Sequence, residues 1–287
     1  MDREDIQSVV LAGYPGDGQV RYHLLTFGAG DPRAMLTRLL ADIASADEPA
    51  GFAGRRQLAF SASGLRELGL GEPEMAQFAR EFRQGMAHPE RALAIGDVAF
   101  DSAEHWEFGG PNTARIDALW LTLGGADTRL AELSAPYERL FVRFGISFQV
   151  QDAVAAGEPG APVLRRERFR RFPLGDLVLG EADAVGERIA GPLVPIKYSA
   201  RPLPAWVRAK NAQDFGKNGS YLALRKVEQE QRVRWLVTLQ TDLRRQFEIN
   251  HRKQLRERAP GARVRGGGYF FLPSVRALNY LAEGRVR

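Results

Sequence analysis

Residues 19–28 read as a strand, with Val20, Tyr22 and Leu24 on one face and His23, Leu25 and Phe27 on the other. A helix start follows at once: Asp31-Pro32 offers a capping carboxylate with proline at the first helical position. Met35, Leu36, Leu39, Leu40 and Ile43 then fall on one helical stripe. The alternation of periods continues. Arg56–Ser61 reads as a second strand, Gly64–Leu70 and Pro73–Met86 as helices, and Ile116–Gly124 as a third strand. Thr128–Ala135 reads as a helix and Leu140–Val150 as a fourth strand. The order β-α-β-(α)-β-α-β is the split ferredoxin-like arrangement and predicts an α+β fold with an antiparallel sheet.

The chain has 287 residues, enough for two modest domains or one large one. Cysteine is absent, which excludes disulfides, thiolate nucleophiles and zinc–thiolate sites. No run approaches the ~20 apolar residues that span a bilayer. The first residues, Met-Asp-Arg-Glu-Asp-Ile, lack the apolar core of a signal peptide, so a cytoplasmic location without membrane contact is expected. Charge is divided unevenly, with 22 Lys+Arg against 28 Asp+Glu over residues 1–207 and 18 against 7 over 208–287. The basic half has no aromatic-rich basic strand or helix-turn-helix pattern, so nucleic acid is not the expected partner.

A further pattern lies in short stretches spread along the chain. They are Asp5–Tyr14, Leu65–Leu70, Glu81–Met86, Glu104–Gly109, Phe215–Leu222, Arg225–Gln229, Arg245–Glu248 and Gly267–Ser274. In this order they resemble landmarks of the dye-decolourising (DyP-type) haem peroxidases. The resemblance implies two ferredoxin-like modules with antiparallel sheets, as in the dimeric α+β barrel superfamily. The modules would occupy residues 1–150 and 208–287, joined by an irregular Pro-, Gly- and Arg-rich connector over 151–207. It also implies haem as cofactor and peroxide as co-substrate.

The departures from the family fall on its chemistry. The family core reads Phe-Gly-Phe-x-Asp-Gly-Ile-Ser, and its Asp handles peroxide protons. Here Gly145-Ile146-Ser147 match, Arg143 stands at the variable position, and Phe144 occupies the place of the Asp. A phenyl ring neither accepts nor returns a proton. The segment that carries the family's proximal His and distal Arg shrinks to Val227–Asp242, which holds no His. The second module is thus expected to be truncated. Ser220–Val227 would turn into Val233–Gln240 as a hairpin around Glu228–Gln231, followed by helix 243–257 and strand Gly268–Leu272. A helix over Lys226–Arg234 competes, because that turn lacks Gly, Asn and Pro.

These readings point to a peroxidase-like protein without haem or peroxidase activity, acting as a binding, structural or regulatory partner. The partner would be an active peroxidase or further copies of the chain. Loss of an edge strand and a helix would expose some of Val227, Val233, Trp235, Val237 and Leu239 and leave Val233–Gln240 as an open edge, to be covered by the connector or by another copy. The alternative is a haem-dependent peroxidase with a non-standard ligand, for which His251 and Tyr269 are the candidates. His23, His88 and His105 lie in no ligand motif, and no spacing suggests a metal site.

Overall fold

The computed structural model describes residues 2–12, 18–48, 54–125, 129–154, 163–164, 177–182, 186–194, 215–229, 232–243 and 263–286. Its first strand, β1 (Gln19–Thr26), buries Val20, Tyr22 and Leu24 on one side and His23 and Leu25 on the other. β1 lies antiparallel between β3 (Ala118–Gly124) and β4 (Ser147–Val154), with Leu24 opposite Leu119 and Gln149. β2 (Arg55–Phe60) flanks β3, which gives the order 4-1-3-2 of a ferredoxin-like sheet. In the second half, β6 (Ser220–Gln229) runs between β7 (Arg232–Gln240) and β8 (Arg263–Leu272), antiparallel to both. Gln229 pairs with Arg232, so 226–234 is a hairpin and not a helix. Alternation decides against the helix: Leu222 and Leu224 join one apolar cluster, Tyr221 and Ala223 the other.

The two half-sheets join into one ring. β8 meets β2 at a single pair, Phe60 opposite Phe271. On the far side β5 (Val163–Leu164) pairs parallel with β7 and, at Val154 opposite Val163, with β4. Seven strands are therefore paired antiparallel, and two residues of the connector close the circle. The edge of β7, expected to be covered by the connector or by another copy, pairs over Arg234–Trp235 with β5, which belongs to the connector. Val227 and Leu239 are buried, and Val237 packs against the lumen cluster.

The lumen of the ring is filled by Val20, Tyr22, Leu24, Leu119, Leu121, Leu222, Leu224 and Phe270. The N-terminal helix α1 (Ser8–Ala12) and the turn before it add Ile6, Val9 and Val10. Gln7 acts there as a substitute ladder rung between the halves. Its amide nitrogen donates to Leu58 O and Pro273 O, both at 2.8 Å, and its oxygen accepts from Leu58 N at 2.9 Å. Asp5 does likewise, accepting from Asn218 Nδ2 at 2.8 Å and from Arg276 N at 2.7 Å.

Helices cover the outside. α2 (Pro32–Leu39) starts as the sequence predicts, with Asp31 Oδ1 accepting from Ala34 N at 3.0 Å. α3 (Ala62–Glu67) is capped by Ser61. The single helix expected over Pro73–Met86 is two, α4 (Glu72–Met75) and α5 (Arg80–Gln84). Between them Ala79 is extended and gives its N–H to Tyr221 Oη at 3.2 Å, which seats Phe78 and Phe82 against Phe271. α6 (Pro89–Ile95) follows. The last described helix, Val275–Ala282, is one the sequence pattern does not announce. The expected helix 243–257 lies outside the described residues, apart from Leu243 at its start.

The largest correction concerns α7, which runs over Leu130–Arg143 instead of stopping at Ala135. Pro136 sits inside it. A proline there removes one ladder bond, but the stripe Leu130, Ser134, Tyr137 and Phe141 is buried, with Tyr137 and Phe141 against Trp120. Packing outweighs the lost bond. Leu140–Arg143 are thus helical, and β4 begins only at Ser147. Among the described residues no helix is long and apolar enough to cross a membrane.

Candidate functional site

Phe144, which the sequence resemblance sets opposite an acid, lies at a helix end and not in a strand. It is the C-cap of α7, and Gly145 adopts φ +70°, the left-handed conformation that glycine tolerates. Ile146 N donates to Phe141 O at 2.9 Å and Gly145 N to Val142 O at 3.0 Å, the paired bonds of a Schellman ending. The Phe144 ring packs against the outer core, and its carbonyl accepts from Asp31 N at 2.9 Å. A Cβ on Gly30 would come within 2.6 Å of that carbonyl and of Ile146 Cδ1, so the turn after β1 and the end of α7 touch backbone to backbone. Arg143 and Gly145 are exposed. Asp31, the acid bonded to this end through its backbone, uses its carboxylate to cap α2.

Tyr269 is held elsewhere, on the outer face of β8. It is 3% exposed, and Arg91 Nε donates to its Oη at 2.8 Å, with the guanidinium 5.6 Å from the ring centre. Burial pushes its phenol up to about 12, against the opposing pull of Arg91. Beside it, Arg225 and Asp97 form an ion pair with 1% and 0% exposed side chains, and the guanidinium of Arg225 lies over Trp106.

Tyr269 also lines a cleft of about 410 Å³. Its walls come from the start of α3, from α5 and the turn after it, from Gly109–Ile116, and from Gly267–Phe270. Four of the stretches that carry the resemblance meet there: Arg66 of Leu65–Leu70, Phe82–Met86, Gly109, and Gly267–Phe270. Gly109 has φ +74°, and a Cβ on it would lie 1.9 Å from Gly267 O, so this wall is bare backbone. The lining includes Arg66, Arg83 and Arg115 but no carboxylate. Sequence reasoning misses all three. They stand in or beside landmark stretches but carry no motif of their own.

Haem needs an axial ligand that faces its pocket. No histidine lines this cleft. His23 is 0% exposed, bonded through Nε2 to Glu138 at 3.0 Å and ringed by Phe141 and Phe148; burial lowers its pKa, with Glu138 opposing. His105 is exposed, and His88, whose Nδ1 is buried without a partner, lies outside the cleft lining. His251 lies outside the described residues. The Tyr269 phenol keeps its proton and is already bonded to Arg91, and Met86, another cleft residue, packs its sulfur on Gly267. The described residues of the cleft therefore do not fit haem. Among the described residues no group of three or more His, Asp or Glu could hold a metal ion.

No protein-family model matches the chain, and no curated protein is similar to it in sequence. Solved structures are. The DyP-type peroxidase of Anabaena sp. superposes with a TM-score of 0.62 over 96% of this chain and 94% of its own, at 12% identity. The decolorizing peroxidase of Auricularia auricula-judae gives 0.48 over 80% of this chain and 49% of its own, at 21% identity. The first likeness shows the fold: an α+β architecture of ferredoxin-like sheets, as in DyP-type peroxidases. At these identities it says nothing of activity.

Proposed function

We propose that this DyP-like fold serves binding and not peroxide turnover, in a chain whose second module has lost the segment that would hold haem. The observation that carries the reading is the state of Phe144. At the position of the family's acid stands a helix cap whose ring belongs to the core and whose carbonyl is bonded to Asp31. A general acid–base group contributes roughly two to four orders of magnitude in rate, and this position offers none. The cleft beside Tyr269 supports the same reading, since its described residues provide no axial ligand.

Purified full-length protein, expressed with haem supplied and then reconstituted, is expected to show no Soret band and only background dye oxidation with hydrogen peroxide. Phe144→Asp alone is expected to restore nothing. A Soret band at one haem per chain, lost on mutating His88, His251 or Tyr269, would overturn the reading in favour of a peroxidase with a non-standard ligand. As a binding protein the chain would act as a structural or regulatory partner, of an active peroxidase or of further copies of itself. Self-association needs no second component, and closed homodimers are common. Light scattering across a dilution series reads it directly.

A further inference from the structure

We propose that the outer edge of β4, over Ser147–Ala153, pairs antiparallel with the same edge of a second copy of this chain, on a twofold axis at Val150. The inference rests on the reading of the chain as a partner of its own copies and names the surface through which they meet.

The two first-half strands that border the second half differ in how their outward edges are used. Along β2, Gln7 bonds Leu58 and Ile43 bridges Arg56, so backbone beyond the single pair with β8 is engaged. β4 is paired along its whole length with β1, but on its other side β5 reaches it only at Val154. The stretch before Val154 therefore has no strand beside it among the described residues. In an antiparallel ladder alternate residues turn their N–H and C=O away from the neighbour, so about 24 Å of edge presents unpaired backbone groups. Edges that stay single are guarded by lysine, proline or a bulge. Ser147–Ala153 has none of these, and its register with β1 is unbroken.

The edge also fits its own reverse. Pairing must set each outer-face residue opposite an outer-face residue. An axis at Val150 does so: Gln149 meets the second copy's Gln151, Phe148 meets its Asp152, and Val150 meets its own image. Gln151 Oε1 accepts from Lys226 Nζ at 3.1 Å, which leaves its amide N–H groups for the side-chain oxygen of Gln149. Val150 is 36% exposed and Val142 68%, and Val142 stands one turn along α7 from Glu138, which bonds His23 on β1. Both valines shed water in the pair. Arg143, just before the strand, is exposed, and among the described residues nothing pairs with it. Reversal brings the second copy's Asp152, a half-exposed carboxylate, to that end. The twofold closes after two copies, so no open-ended sheet grows.

The chain has no cysteine, so one introduced thiol reports the axis. Directly opposed residues of an antiparallel pair have Cα atoms about 4.5–5.5 Å apart, within the span of a disulfide. Val150→Cys in the full chain is expected to give a disulfide-linked dimer on mild oxidation. Phe100→Cys, at a residue 77% exposed between α6 and β3, reports random collision and is expected to stay unlinked. Sedimentation across a dilution series is expected to show a dimer for the unaltered chain. Val150→Lys sets two ammonium groups at the axis and is expected to weaken association at least about tenfold. Circular dichroism confirms that each variant is folded. A strict monomer, equal linking of both thiols, or a dimer that ignores Val150→Lys would overturn the proposal, the last leaving self-association through another surface. A Soret band with the Val150 results intact would strike the haem-free reading alone.

Discussion

Each half-sheet buries an ionisable group on its outer face, and the two halves treat it differently. In the first half His23 sits under α7, the helix that leads directly into β4, between Phe141 and Phe148. An imidazole can shed its charge, and burial favours that. In the second half the buried group is the guanidinium of Arg225. It needs a buried carboxylate, and Asp97 comes from the other half of the chain, from the stretch between β2 and β3. That stretch also provides Phe78, Phe82, Arg91 and Trp106 to the same face. One half is roofed by its own crossover helix, the other by a segment borrowed from its neighbour. The lesson is that the covering of a sheet need not follow the order of the modules in sequence.

The comparison can be broken most sharply at Asp97. Asp97→Ala leaves Arg225 without its buried carboxylate and is expected to cost about 3–5 kcal/mol in chemical denaturation. Asp97→Leu with Arg225→Met is expected to recover most of that loss; equal loss in both variants would mean that the ion pair is not the source. Gln7→Leu tests the join between the halves. It leaves buried backbone groups at Leu58 and Pro273 without their partner, and a loss of about 3 kcal/mol is expected, near the upper end for an unpaired buried group. A second, separate unfolding transition in this variant would mean that Gln7 couples the halves, whereas an unchanged midpoint would dismiss the rung.

The smallest effect belongs to His23. Its folded pKa lies below the ordinary 6.5, so the unfolded chain binds the proton first. Stability should therefore fall as pH drops through about 6.5 towards the folded value, and be regained above it. His23→Gln should flatten the slope of the thermal midpoint between about pH 7 and 5. A steeper slope in the variant would reverse the assignment.

The alternating runs of β1, β2 and β3, the Asp31-Pro32 start and the pairing of β6 with β7 are legible in the sequence because each is fixed by local period or topology. The end of α7 is not, because Arg139–Gln149 can be aligned as one apolar run. The decisive signal, Gly145 as a left-handed helix stop followed by buried Ile146, is present but reads equally well as part of a motif. Phe144 stands out in the sequence as a chemical gap, though not as a cap. The cleft arginines are invisible there because Arg66, Arg83 and Arg115 come from three separate segments that only the fold brings to one cleft. No periodicity records such a meeting. The same holds for Asp97 and Arg225, 128 residues apart.

The ring is closed by very little backbone: one residue pair between β2 and β8, and the two residues of β5 between β4 and β7. Within each half the ladders run for six to nine pairs. A slight slip of one half past the other would therefore break few interstrand bonds, and would be resisted instead by Gln7, Asp5 and the side chains that fill the lumen. The girth of this barrel is set by its stuffing more than by its hoops. Enlarging Val20 or Leu121 should be felt first at the two seams, many residues away along the chain, before any strand within a half gives way.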